Sequence, residues 1–143
     1  MSDSLRVEHL EADRFTVDIR GHVLTVDQPV DAGGSDAGPT PTELFVAGLA
    51  TCVAFYARRY LARHHIDDAG LAVEASFEAG GRPARVTSIQ VTLTPPAALP
   101  ADRLEAVLAV AAHCTVHNSL LDPPQVAIVA APSADRLAPT LSA

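Results

Sequence analysis

The chain reads as an α+β domain with the element order β-β-β-α-β-β-α-β. Three observations lead there. Short stretches near the start and in the middle alternate apolar and polar residues with a period of two. One long helix opens at a marked cap and is apolar on every side. A second, shorter helix has its large apolar residues three and four apart on one face.

Residues 5–12 and 14–20 have strand character, and Phe15, Val17 and Ile19 alternate with Thr16, Asp18 and Arg20. Arg20-Gly21-His22 reads as a turn and Val23 to Val26 as the returning strand. Pro29 to Pro41 is a glycine-rich loop without periodicity. Thr40-Pro41-Thr42-Glu43 then sets a hydroxyl at the N-cap, proline at N1 and glutamate at N3, which is a capping box. The helix it starts is expected to run from about Pro41 to about Arg63. Strands follow at Leu71–Ala79 and Val86–Thr94, divided by the turn Gly80 to Pro83. The second helix is expected from about Pro100 to about His113, with Leu104, Val107, Leu108 and Ala111 on its apolar face. Asp122-Pro123-Pro124 breaks the chain, and Val126 to Ala130 reads as a last strand. Residues 1–131 make one domain and 132–143 a loose tail.

With 143 residues, 48% of them apolar, the chain is long enough to bury a core. The formal charge is −7 and no lysine is present, so no basic face offers itself to nucleic acid. Arg58, Arg59 and Arg63 form a local basic cluster, read as a solvated helix end where cations suit the macrodipole. No signal-peptide pattern begins the chain, and the longest apolar run is short for a membrane span. A cytoplasmic protein is expected. His64 and His65 are adjacent and no Cys-x-x-Cys occurs, so neither a metal nor a bound cofactor is expected.

The chemistry turns on two thiols. Cys52 lies in the middle of the all-apolar helix, and Cys114 follows it by 62 positions. A buried thiol is either a small hydrophobe or a guarded reactive group. A helix with no polar side needs more cover than one sheet face supplies, so an obligate dimer is expected.

Gly33-Gly34-x-x-x-Gly38-Pro39-x-Pro41-x-Glu43-Leu44-Phe45-x-Ala47-x-Leu49-Ala50-x-Cys52 resembles the loop and central helix of the OsmC/Ohr family. Cys114-Thr115-Val116 with Leu120 resembles that family's second-cysteine segment. The resemblance covers about residues 5–130. It implies an intertwined homodimer, with long central helices enclosed by two antiparallel-rich sheets and sites at the interface. It further implies a cysteine-based peroxidase for organic hydroperoxides, with Cys52 attacking, Cys114 resolving, and a lipoyl-type dithiol as reductant. The alternative is a member of the fold that binds a small hydrophobic ligand without peroxidase chemistry.

A buried thiolate needs a cation. The family uses an arginine held by a glutamate ten residues before the cysteine, a place taken here by Thr42. Glu43 is nine before, about 180° around the helix from Cys52. Arg14 is the candidate cation, at the start of the second strand on the polar side of the hairpin. Cys114, placed at a helix C-terminus, would gain nothing from the dipole, which suits a resolving thiol. His113 and His117 flank it as candidate bases or as solvated helix-end histidines.

Overall fold

A computed structural model of the chain describes residues 3–133. The tail expected at 132–143 therefore lies, from residue 134 onward, outside the described residues. The elements are β1 (Arg6–Glu11), β2 (Arg14–Ile19), β3 (His22–Val26), α1 (Pro41–Arg63), β4 (Ala72–Gly80), β5 (Arg85–Thr94), α2 (Leu104–Ala111) and α3 (Thr115–Leu121). Strands β1, β2 and β3 form one antiparallel sheet, and β4 and β5 form a second. The mixed α+β architecture expected from the sequence is present.

Helix α1 begins at the predicted residue because its cap is complete. Thr40 Oγ1 accepts from the Glu43 amide at 3.1 Å, and Glu43 Oε1 accepts from the Thr40 amide at 2.9 Å. Two orphan amides are thereby satisfied, each such cap contributing about 1 kcal/mol. The helix packs on α2, α3, β4 and β5. Its buried residues Ala57, Tyr60 and Leu61 meet Val107 and Ala111 of α2 in the main core. Alanines at 57 and 111 let the two helix backbones approach closely, and Leu61 fills the space beside them.

The single chain covers only one side of α1. Phe45 and Phe55 remain 45% and 53% exposed. By length and composition this helix is long and apolar enough to cross a membrane. Its start in a capping box and its packing on two helices and two strands are those of a central core helix.

Two expectations are corrected. The helix predicted over 100–113 is shorter: one 3-10 turn at Ala101–Arg103 leads into α2, and a separate helix α3 follows at an angle of 58°. The break lies at Cys114, which is extended (φ −71, ψ 155) and serves as the N-cap of α3. The two carbonyls that follow α2 are satisfied by side chains beyond the break. His117 Nδ1 meets Ala112 O at 2.7 Å, and Asn118 Nδ2 donates to His113 O at 3.2 Å. The last strand, Val126 to Ala130, does not form among the described residues. Strand-forming residues are not enough, because a strand needs a neighbour for its backbone, and here Val126, Ile128 and Val129 stand 78%, 95% and 88% exposed.

Candidate functional site

The two thiols come together where α3 meets α1. Cys52 is half-buried on α1, Cys114 is fully buried at the α3 cap, and both are free. Tyr56, one turn after Cys52 and so on its face of the helix, reaches Thr115, the residue after Cys114; the two hydroxyls are 2.9 Å apart. This bond ties the start of α3 to α1 beside both sulfurs.

Burial pushes the Cys114 thiol above its ordinary pKa. The His117 amide, which donates to Sγ at 3.4 Å, pulls the other way. The neighbouring Cys52 thiol raises it further. Cys114 thus sits at a helix N-terminus rather than the expected C-terminus, and the sign of the dipole argument reverses. It stays protonated because it is desolvated, not because of a helix end.

Arg14 lies on the face of β2 that bears Thr16 and Asp18, opposite to Phe15 and Val17. Its guanidinium turns inward, with the side chain 30% exposed. Nη1 pairs with Glu11 Oε1 at 3.1 Å, and the buried Nε lies 3.9 Å from Asp27 Oδ2, with no hydrogen-bond acceptor of its own. The carboxylates of Glu11 and Asp27, not a thiol, hold Arg14 within the chain.

Asp27 was not singled out from sequence. It is buried at the end of the β1–β3 sheet and organises the glycine-rich loop. Its Oδ1 accepts from the Gln28 amide at 2.8 Å, and its Oδ2 from the amides of Ser35 at 3.1 Å and Ala37 at 3.0 Å. The Ala37 and Gln28 amides hold its pKa below the usual carboxylate value; burial opposes them, and Ser35 and Arg14 assist. The loop closes this tightly only without side chains, since a Cβ at Gly34 would stand 2.0 Å from Gln28 O and one at Gly38 2.1 Å from Thr25 O. The available signal was an Asp just ahead of a Gly-rich loop, where its carboxylate can take loop amides.

His113 Nδ1 lies 2.7 Å from Ala109 O, and His117 Nδ1 is equally bound to Ala112 O. A carbonyl only accepts, so both Nδ1 atoms carry protons and only Nε2 is left as a base on each ring. An apolar cavity of about 250 Å³ lies between α1, β5, α2 and α3, lined by Leu49, Val53, Ile89, Val91, Leu108 and His117. No three His, Cys, Asp or Glu side chains converge for a metal among the described residues.

Residues 33–129 match a family model described as OsmC-like protein. The chain belongs to that family. Among curated proteins no sequence matches. Solved structures share the fold. One from Psychrobacter arcticus 273-4, provisionally described as an osmotic stress induced and detoxification response protein, superposes with a TM-score of 0.76 at 22% identity, covering 83% of this chain and 88% of the other. The OsmC like protein from Mycoplasma pneumoniae gives 0.73 at 16% identity, covering 85% and 88%. An organic hydroperoxide resistance protein OsmC from Legionella pneumophila gives 0.66 at 17% identity, covering 84% and 89%.

Within this OsmC-like chain, Glu43 is fully occupied by its cap. The Thr40 amide, then the Thr40 hydroxyl, hold its carboxyl below the ordinary range. It is turned toward the helix start and away from Cys52, as the nine-residue spacing predicts. Thr42 is exposed.

Proposed function

We propose that this OsmC-like protein is a cytoplasmic, homodimeric thiol peroxidase for organic hydroperoxides. The observation that carries the reading is the meeting of Cys52 and Cys114 across α1 and α3. The Cys52 thiolate attacks the outer oxygen of the hydroperoxide. The O–O bond breaks, an alcohol leaves after taking a proton, and sulfur becomes sulfenic acid. The Cys114 thiol then attacks that sulfur, water leaves, and a disulfide forms. An external dithiol, lipoyl-type by family resemblance, supplies two electrons and two protons to restore both thiols.

Assembly completes the site in this reading. A second copy covers the face of α1 that bears Phe45 and Phe55, pairs the open segment Val126–Ala130 as a strand, and brings Arg14, preset by Glu11 and Asp27, toward a thiolate. The apolar surroundings of Cys52 favour bulky peroxides over hydrogen peroxide.

The test is turnover of cumene hydroperoxide with dihydrolipoamide, wild type against Cys52→Ser. Loss of turnover in the variant supports the reaction, and equal slow consumption by both proteins excludes it.

One observation favours a second reading. Thr42 stands at the family's glutamate place, while an apolar cavity of about 250 Å³ lies between α1, β5 and α2. A binder of small hydrophobic ligands needs the cavity and not the glutamate. Alkylation of Cys52 against pH separates the two, because an ordinary thiol pKa near 8.5 favours the binder.

A further inference from the structure

Helices α1, α2 and α3 and strand β5 enclose the apolar cavity of about 250 Å³. Leu49 and Val53 line it from α1, Ile89 and Val91 from β5, Leu108 from α2 and His117 from α3. It lies on the inner side of α1, since Leu49 is buried and Val53 packs against the main core. Around that helix, Leu49 and Val53 point about 100° away from the direction shared by Phe45 and Phe55. A second copy seated on those two rings leaves the cavity to this chain.

The polarity of the walls is confined to one residue. Every other lining side chain is a leucine, valine, isoleucine or alanine, and no charged group joins them among the described residues. His117 is half-buried and pinned at two points. Its amide donates to Cys114 Sγ at 3.4 Å, and its ring Nδ1 donates to Ala112 O at 2.7 Å. With Nδ1 committed to the backbone, the neutral ring keeps its lone pair on Nε2. That atom is the one hydrogen-bond acceptor that the lining side chains have to offer. An apolar cavity of about 150 Å³ admits benzene, so this one has room for roughly ten non-hydrogen atoms.

We propose that the cavity binds a neutral, compact apolar molecule of about that size bearing a single hydroxyl, which donates to His117 Nε2. A charged group would find no counter-charge on these walls. A molecule with several polar groups would find one partner for all of them, and a hydrocarbon would leave the imidazole acceptor facing apolar atoms. The pinned ring is already oriented, so binding orders no rotamer there. This ligand class rests on the binding reading and owes nothing to turnover. The residue that anchors the hydroxyl is also the one whose amide meets Cys114, so an occupied cavity braces the cap of α3.

Calorimetric titration of 4-ethylphenol and of 4-ethyltoluene, its match with methyl in place of hydroxyl, into the reduced protein at pH 8 tests the site. A cavity without an acceptor favours the toluene, because the buried hydroxyl goes unpaired. Here the phenol is expected to bind at least as tightly, and His117→Phe should weaken the phenol about tenfold relative to the toluene. In the wild type the phenol alone should shift the nitrogen resonance of His117 Nε2. Val91→Phe, which fills the cavity and keeps His117, should weaken both probes. If His117→Phe does not fold, the resonance and Val91→Phe carry the test. A preference for the toluene with no shift at Nε2, both probes being lost in Val91→Phe, overturns the hydroxyl anchor and leaves the binding reading standing. Binding of neither probe overturns both.

Discussion

The Tyr56 hydroxyl stands 2.9 Å from the Thr115 hydroxyl, and this bond joins the helix that carries Cys52 to the helix that Cys114 caps. The bond lies beside both sulfurs. Removing the bond loosens α3 without touching either thiol.

Tyr56→Phe should therefore cost about 0.5–1.5 kcal/mol of stability, the net worth of one hydrogen bond. After one equivalent of hydroperoxide, it should also slow the closing of the Cys52–Cys114 disulfide while leaving sulfenic acid formation unchanged. Dimedone trapping read by mass spectrometry checks this. An unchanged rate of closure would mean that the hydroxyl pair does not position Cys114.

Asp27 titrates with a lowered pKa, so its ionised form stabilises the fold. That contribution is present above the unfolded value of about 3.9 and fades as pH falls through the lower folded value. Asp27→Asn should lower the melting temperature at pH 7, by an amount that shrinks as the pH falls from about 3.9 through the lower folded value. Thermal melts across pH 2–8 give the answer; a deficit that is constant with pH would contradict it.

Cys114 titrates in the opposite sense. Its raised pKa means that the folded state retains a proton which the unfolded chain gives up near pH 8.5. Stability from this thiol is complete below that pH and declines as pH climbs toward the folded value. Cys114→Ala should cost about 1 kcal/mol at neutral pH through lost packing, and should flatten the alkaline limb of the denaturation profile.

Leu61→Ala should cost about 2–5 kcal/mol, because Leu61 is fully buried where α1, α2 and the second sheet converge. Urea unfolding followed by circular dichroism measures it.

Gly34→Ala should distort the Asp27 loop at a cost of about 1–3 kcal/mol, because its methyl group would collide with the Gln28 carbonyl, which is backbone and cannot rotate away. Gly48→Ala is the matched control, with open space around the added Cβ.

The sequence made α1 legible to the residue because Thr40, Pro41 and Glu43 are local signals that act within one helical turn. The β2–β3 hairpin was equally readable, with Arg20 and Gly21 at its turn and Asp18 Oδ1 accepting from the Gly21 amide at 2.9 Å. Cysteine is an uncommon cap, so nothing near Cys114 announced the start of α3, and the second helix was expected to end at about His113 with no helix after it. Val126–Ala130 has strand-forming residues, but pairing depends on a neighbour that composition does not reveal. Arg14 was singled out for its charge; its inward turn follows from Asp27, whose burial emerges only when Gly34 and Gly38 fold the loop over it.

The contrast in exposure between the sulfurs gives the protein an internal clock. Cys52 is partly open to solvent, whereas Cys114 has none of its surface accessible. A small disulfide reagent should thus release one equivalent of chromophore at once, and a second only as fast as α3 lifts away from α1. Counting sulfhydryls over time then measures local opening directly, in a chain that has no tryptophan for fluorescence to follow.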